Sequence, residues 1–138
     1  MYLTISQTLH TDRQLESSFD FVDLARSGLT TASINSTREA LGISVDEIVA
    51  LLPVSRRTLE RYDRKQKLSP ELSDRLIQIA RIYSRTLEVF GDRQTALSWL
   101  KSPCRAFGDA TPLSYLDLSS GFEIVMDELG RIDYGVYS

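Results

Sequence analysis

Histidine and cysteine are nearly absent from this 138-residue chain, which has one of each, His10 and Cys104. A single cysteine excludes an internal disulfide, and one His with one Cys leaves no ligand set for a structural zinc. Neither residue has a base, acid or nucleophile at a useful spacing. His10 therefore reads as a surface residue and Cys104 as a partly buried thiol, not as catalysts. No run approaches the roughly 20 apolar residues that span a bilayer. The opening stretch MYLTISQTLHTDRQ lacks the basic-then-apolar pattern of a signal peptide, so a cytoplasmic protein without membrane contact is expected. There is no GxxxxGK[ST] and no GxGxxG, so Gly108, Gly121 and Gly130 do not form a phosphate-cradling loop. Internal repeats and low-complexity tracts are also missing. These absences lead to the expectation of a chain that is not an enzyme and holds no metal or cofactor.

What is present is a polarised distribution of charge. The net charge is only −3. Yet SRRTLERYDRKQK, residues 55–67, carries Arg56, Arg57, Arg61, Arg64, Lys65 and Lys67 against Glu60 and Asp63. From Ala106 onward the balance reverses. Asp109, Asp117, Glu123, Asp127, Glu128 and Asp133 face a lone base, Arg131. A basic middle suits a polyanion and an acidic end is repelled by one. The alternative for each segment is a plain solvated surface, with pairs such as Glu60–Arg64 lacing the helix.

The patterning is nearly all helical. The first eleven residues read as loose. Residues 12–27 carry Leu15, Phe19, Val22 and Leu24 at helical spacing, from Asp12 to Gly28. A second helix is predicted from about Ser33 to Leu41, stopped by Gly42. Ser44 and Glu47 form a capping box, and Val45, Ile48, Val49 and Leu52 line a buried face that ends at Pro53. Ser55 caps a helix predicted to reach Arg64 or Lys65, after a gap of about three residues. Ser69-Pro70 opens a long helix whose apolar stripe runs from Leu72 to Phe90 and is wider than one face. That width predicts packing on both sides and a homodimer. Asp92 caps a short helix containing Ala96, Trp99 and Leu100, with Trp99 in the core. Thr111-Pro112 opens a short helix through Leu116. Ser119 or Ser120 caps a last helix with Phe122, Val125, Met126 and Leu129 on one side, and the tail from Gly130 shows no helical period.

Two capped helices across a short turn, the second basic, predict a helix-turn-helix that places its second helix in the DNA major groove. Arg56, Arg57 and Thr58 lie near the helix start, where base contacts occur. Ser55 suits a phosphate. Arg57, Arg61 and Arg64 share the outer face, and Arg64, Lys65 and Lys67 lie along the flanking backbone.

The stretches KLSPELSDRLIQIARIYSRTLEVFGD, WLKSP, AFGDATPLSYLDLSSGFEIV and LGRIDYGV resemble the Xre/MbcA/ParS antitoxin family over about residues 67–136. The upstream helix-turn-helix is similar to its Xre-like half. The resemblance implies an all-α Xre-like core, residues 1–67, followed by a small helical toxin-binding module, residues 68–138. It implies a RES-domain toxin that destroys NAD⁺ as partner, covered at its active site by the antitoxin's C-terminal region, and binding to the chain's own promoter DNA. The residues expected at the toxin are Glu123, Asp127, Glu128, Arg131, Asp133, Tyr134 and Tyr137. Deletion from about residue 120 is expected to abolish inhibition and leave a folded core. Two other readings remain open at this point: a stand-alone transcription regulator, and an adaptor whose basic helix never touches DNA.

Overall fold

The computed structural model describes the backbone of residues 1–137 and the side chains of residues 1–135. The described residues form eight α-helices, five of which pack on α6: α1 (Tyr2–Leu9), α2 (Ser18–Ser27), α3 (Thr31–Leu41), α4 (Val45–Val49), α5 (Arg56–Glu60), α6 (Pro70–Phe90), α7 (Arg93–Lys101) and α8 (Ser119–Tyr137). Short 3₁₀ turns at Arg105–Phe107 and Leu113–Asp117 join α7 to α8.

Helix α6 is the axle. The Ser69 Oγ accepts the Leu72 N–H at 3.1 Å, Pro70 opens the helix, and Gly91 ends it at φ 89°. Along α6, Leu76, Ile77, Ile79, Ala80 and Ile82 are fully buried. The helix contacts α1, α2, α3, α7 and α8. Its broad apolar surface is therefore covered within its own chain, and that width is no argument for a dimer.

The N-terminus is not loose. Ile5 and Leu9 of α1 are fully buried in contact with the core, α1 packs on α3 and α6, and the Ser84 hydroxyl donates to the Met1 carbonyl. Its first turn has no side-chain cap, so burial of Ile5 and Leu9 holds a helix too short to persist alone.

Helix α2 begins later than the spacing predicted. Asp20 accepts the N–H groups of Glu16 and Ser17 at 2.7 and 3.0 Å, which starts the helix at Ser18. Phe21, Leu24 and Ala25 then face inward, while Phe19 is 82% exposed and Val22 also faces solvent. Leu15 is buried from the preceding loop.

Beyond α2, Gly28 turns the chain at φ 87°. A Cβ there would stand 2.8 Å from the Leu68 carbonyl oxygen. The closeness reflects a backbone pairing of Thr30 with Lys67 and a 2.9 Å bond from Leu68 N–H to the Leu29 carbonyl. Ser73, fully buried on α6, accepts the Leu29 N–H at 2.9 Å.

The C-terminal half is assembled around rings. Asp92 accepts the Thr95 N–H at 2.8 Å, as its capping position predicted, and these bonds hold its carboxyl below the usual range. Trp99 lies between Phe90 and Phe107, with ring centroids 5.6 and 6.3 Å away, and Phe107 meets Tyr115 at 5.0 Å. Trp99 is thus packing, as expected. The expected helix after Pro112 is a 3₁₀ turn. Helix α8 does not stop near Leu129 but continues through Gly130 and Gly135. An interior glycine weakens a helix by about 1 kcal/mol. Here the burial of Leu129 and an Asp133–Arg85 ion pair at 3.0 Å hold the extension on α6.

Candidate functional site

The central turn contains the basic surface. Ser44 and Glu47 make the reciprocal capping box, each bond 3.1 Å long. Helix α4 then ends at Val49, earlier than predicted, and Ala50–Ser55 forms the connection with Leu51 and Leu52 still buried. Ser55 Oγ accepts the Thr58 N–H at 3.1 Å and donates to the Thr58 hydroxyl. Leu59 and Tyr62 pack half-buried against the core, along a cleft shared with Ile34 and Val45.

Helix α5 is shorter than the sequence predicted. Asp63 accepts the Lys65 N–H at 2.8 Å, and its carbonyl takes the Gln66 N–H. Such an Asx turn competes with the next helical turn. Arg64 and Lys65 therefore stand on the following loop, and Arg64 does not extend an α5 face with Arg57 and Arg61.

The cations differ in availability. Arg56 pairs with Asp46 on α4 and with Glu60 at 3.4 Å, and Asp46 raises its already high pKa. The Lys67 ammonium donates to the Ser27 and Gly28 carbonyls at 3.2 and 3.4 Å, closing the C-terminal end of α2. Arg57, Arg61, Arg64 and Lys65 are exposed and make no ion pair among the described residues.

The acidic surface belongs to α8. Val125 and Leu129 are fully buried, while Glu123, Asp127, Arg131 and Tyr134 are exposed. Arg131 donates to Glu128 at 2.8 Å, which raises the arginine's pKa, and Asp133 is held by Arg85. Glu123 and Asp127 are left as exposed carboxylates without an ion pair among the described residues. The Tyr137 side chain lies outside the described residues.

The two surfaces are joined through α6. Arg75 donates to the Leu51 carbonyl at 2.8 Å and also to the Asp117 carbonyl, linking the turn after α4 to the segment that leads into α8. The Arg81 guanidinium lies 4.8 Å from the Phe21 ring centroid on α2 and 5.0 Å from that of Phe122 on α8. Burial there lowers its pKa. None of these bridging arginines was singled out for that role from sequence, because the spacing on α6 does not reveal which distant carbonyl or ring lies opposite.

Comparison with known families agrees with this layout. Residues 20–81 match the antitoxin Xre-like helix-turn-helix domain, and residues 86–135 match the antitoxin Xre/MbcA/ParS C-terminal toxin-binding domain. The two matched segments meet within α6. Three relatives carry the name antitoxin Xre. That of Yersinia enterocolitica serotype O:8 is 29% identical over 119 residues, covering 85% of this chain and 80% of the relative. That of Photorhabdus laumondii is 37% identical over 79 residues, 56% of this chain and 53% of the relative. That of Pseudomonas putida is 34% identical over 100 residues, 67% and 63% respectively. For these last two the alignment spans less than two thirds of the relative's own length. With both domain models matched in order along most of its length, the chain belongs to the Xre family of antitoxins.

Proposed function

We propose that this protein is the antitoxin of a toxin–antitoxin pair, acts without catalysis in the cytoplasm, and neutralises a NAD⁺-degrading RES-domain toxin by covering its active-site entrance. The observation that carries the reading is the two-sided character of α8 inside the matched toxin-binding segment. One side is fused to α6 by Val125 and Leu129, and the other offers Glu123, Asp127 and Tyr134 to solvent. A site that binds an anionic dinucleotide is cationic, and exposed carboxylates on a fixed helix are complementary to it. Glu128, Arg131 and Asp133 border this face and partly satisfy one another or Arg85. In the same reading residues 1–67 serve DNA and residues 68–138 serve the toxin.

The direct test is rescue of growth during toxin expression. The Glu123→Lys, Asp127→Lys double variant should lose at least about tenfold in toxin affinity and fail to rescue, while staying within about 2 °C of the wild-type melting temperature, because both side chains are exposed and form no ion pair within 4 Å among the described residues. Full rescue by that variant would remove α8 from the inhibitory contact.

We further propose that α5 enters the major groove of the chain's own promoter as a dimer on paired half-sites. Arg57→Ala should weaken promoter binding by about 1–3 kcal/mol at one base position. Arg56→Ala should do less at the bases, since its guanidinium is held by Asp46 and Glu60. Arg61, Arg64 and Lys65 are assigned to phosphates, with Ser55 and Thr58 shaping the start of the helix. Fluorescence anisotropy at fixed salt, with promoter and scrambled duplexes, measures both variants. Unchanged affinity in Arg57→Ala would favour an adaptor without DNA contact.

A further inference from the structure

The first turn of α8 lies directly on the 3₁₀ turn Leu113–Asp117. Gly121 makes this possible, since a Cβ at that position would stand 1.7 Å from the Tyr115 carbonyl oxygen. The close approach forms an open groove of about 370 Å³ beside it, bordered by Tyr115, Leu118 and Ile124, with Ser114 and Ser120 at its edges and Asp117 among its lining residues. Leu118 is 61% exposed and Ile124 45% exposed. Two large aliphatic side chains thus stand in solvent within one concave site, the usual mark of a contact surface and not of scattered surface apolarity. The site is also preformed. Leu118 sits in extended backbone between the 3₁₀ turn and α8, with Arg75 on the Asp117 carbonyl and Gln78 on the Ser119 hydroxyl at 3.2 Å. Little ordering remains to be done on binding.

Charge decides what the groove accepts. Asp117 lines it, and Glu123 and Asp127 are exposed nearby on α8, with Asp127 three residues from Ile124 and so on the same side of the helix. Nucleic acid is repelled by that surround. A second copy related by a two-fold axis would bring the same carboxylates face to face. A partner with an apolar side chain flanked by lysine or arginine satisfies both the groove and its surround.

We infer that this groove is the anchor point of the toxin: an apolar side chain of the toxin seats between Leu118 and Ile124, and a neighbouring basic residue pairs with Asp117. This rests on the toxin-binding role proposed above and moves the main contact from the acidic face of α8 to an apolar site at its start. Hot spots in interfaces are of this kind, a few buried anchors ringed by charge that sets specificity.

The test measures affinity between the full-length antitoxin and the RES-domain toxin, purified with its active site inactivated. Leu118→Ser and Ile124→Ser should each weaken binding at least about tenfold, and the double variant at least about 100-fold. Ser120→Phe, which fills the groove without removing any apolar contact, should also weaken binding at least about tenfold. Melting temperatures should stay within about 2 °C of wild type, since the altered side chains are exposed. Tight wild-type binding that survives the double variant and Ser120→Phe within twofold would overturn the anchor while leaving the antitoxin reading intact. No binding by wild type would overturn both. Self-association of the antitoxin that Leu118→Ser abolishes would assign the groove to a second copy and overturn the inference.

Discussion

Gly121→Ala should destabilise the protein by about 3 kcal/mol or more, lowering its melting temperature by about 10 °C or more. The added methyl group would lie 1.7 Å from the Tyr115 carbonyl oxygen and 2.7 Å from its carbon. Both are backbone atoms, so no rotamer change relieves the clash. Either the 3₁₀ turn or the start of α8 must withdraw by more than an ångström. Withdrawal loosens the helix that carries fully buried Val125 and Leu129. Gly130→Ala is the matched control. It lies on the same helix, where the new Cβ would meet no described atom within 4 Å beyond its chain neighbours and its own helix backbone, and alanine there should be neutral or stabilising by about 0.5–1 kcal/mol. Urea denaturation of both variants gives the comparison. Equal stabilities would mean that the close approach of α8 to Tyr115 does not hold in solution.

A chain ended at Leu118 should fail to unfold cooperatively and should bind a hydrophobic dye before any denaturant is added. The antitoxin reading of the sequence expects the opposite, that deletion from about residue 120 leaves a folded, DNA-competent core. Helix α8 instead packs along α6, as α2 does on another side. Its removal strips Val125 and Leu129 from the core, together with half-buried Phe122 and Met126. Each fully buried aliphatic side chain stabilises by about 1.5–3 kcal/mol. Several such losses approach the 5–15 kcal/mol that separates folded from unfolded states in ordinary domains. The truncation also releases Arg81 from one of its two rings and Gln78 from the Ser119 hydroxyl. A sharp melt of residues 1–118 by circular dichroism would show that α6 is stable without its cover. Loss of toxin inhibition in such a truncation therefore cannot assign the toxin contact, which is why exposed positions carry the functional tests.

Much of the helical framework was legible because its signals are local. Ser44 with Glu47, Ser69 with Pro70, and Asp92 satisfy their own first turns, and Gly42 and Gly91 end helices in backbone conformations that glycine adopts freely. The basic and acidic segments could be counted directly, and the family resemblance agrees with the models matched at residues 20–81 and 86–135. Other features depended on distant partners. Helix α1 has weak intrinsic signals and exists because α3 and α6 bury Ile5 and Leu9. Asp20 shifted the start of α2, which turned Phe19 outward where periodicity alone had placed it inside. Asp63 cut α5 short, and Asp46 took Arg56 from the set of unpaired cations.

The order of residues alone determined where helices begin under their caps, which segment is cationic and which anionic, and the family to which the chain belongs. Caps act over three or four residues, and charge can be summed without coordinates. Tertiary structure alone decided that α8 is both core and surface, that α6 is sheathed by its own chain, and that Leu118 and Ile124 share one groove. The first two outcomes depend on contacts between segments far apart in the chain, as Arg85 meets Asp133, and the groove depends on Gly121 closing on Tyr115 while Gln78 holds Ser119. No local propensity encodes such a meeting; it is set by the closest packing the whole chain can reach.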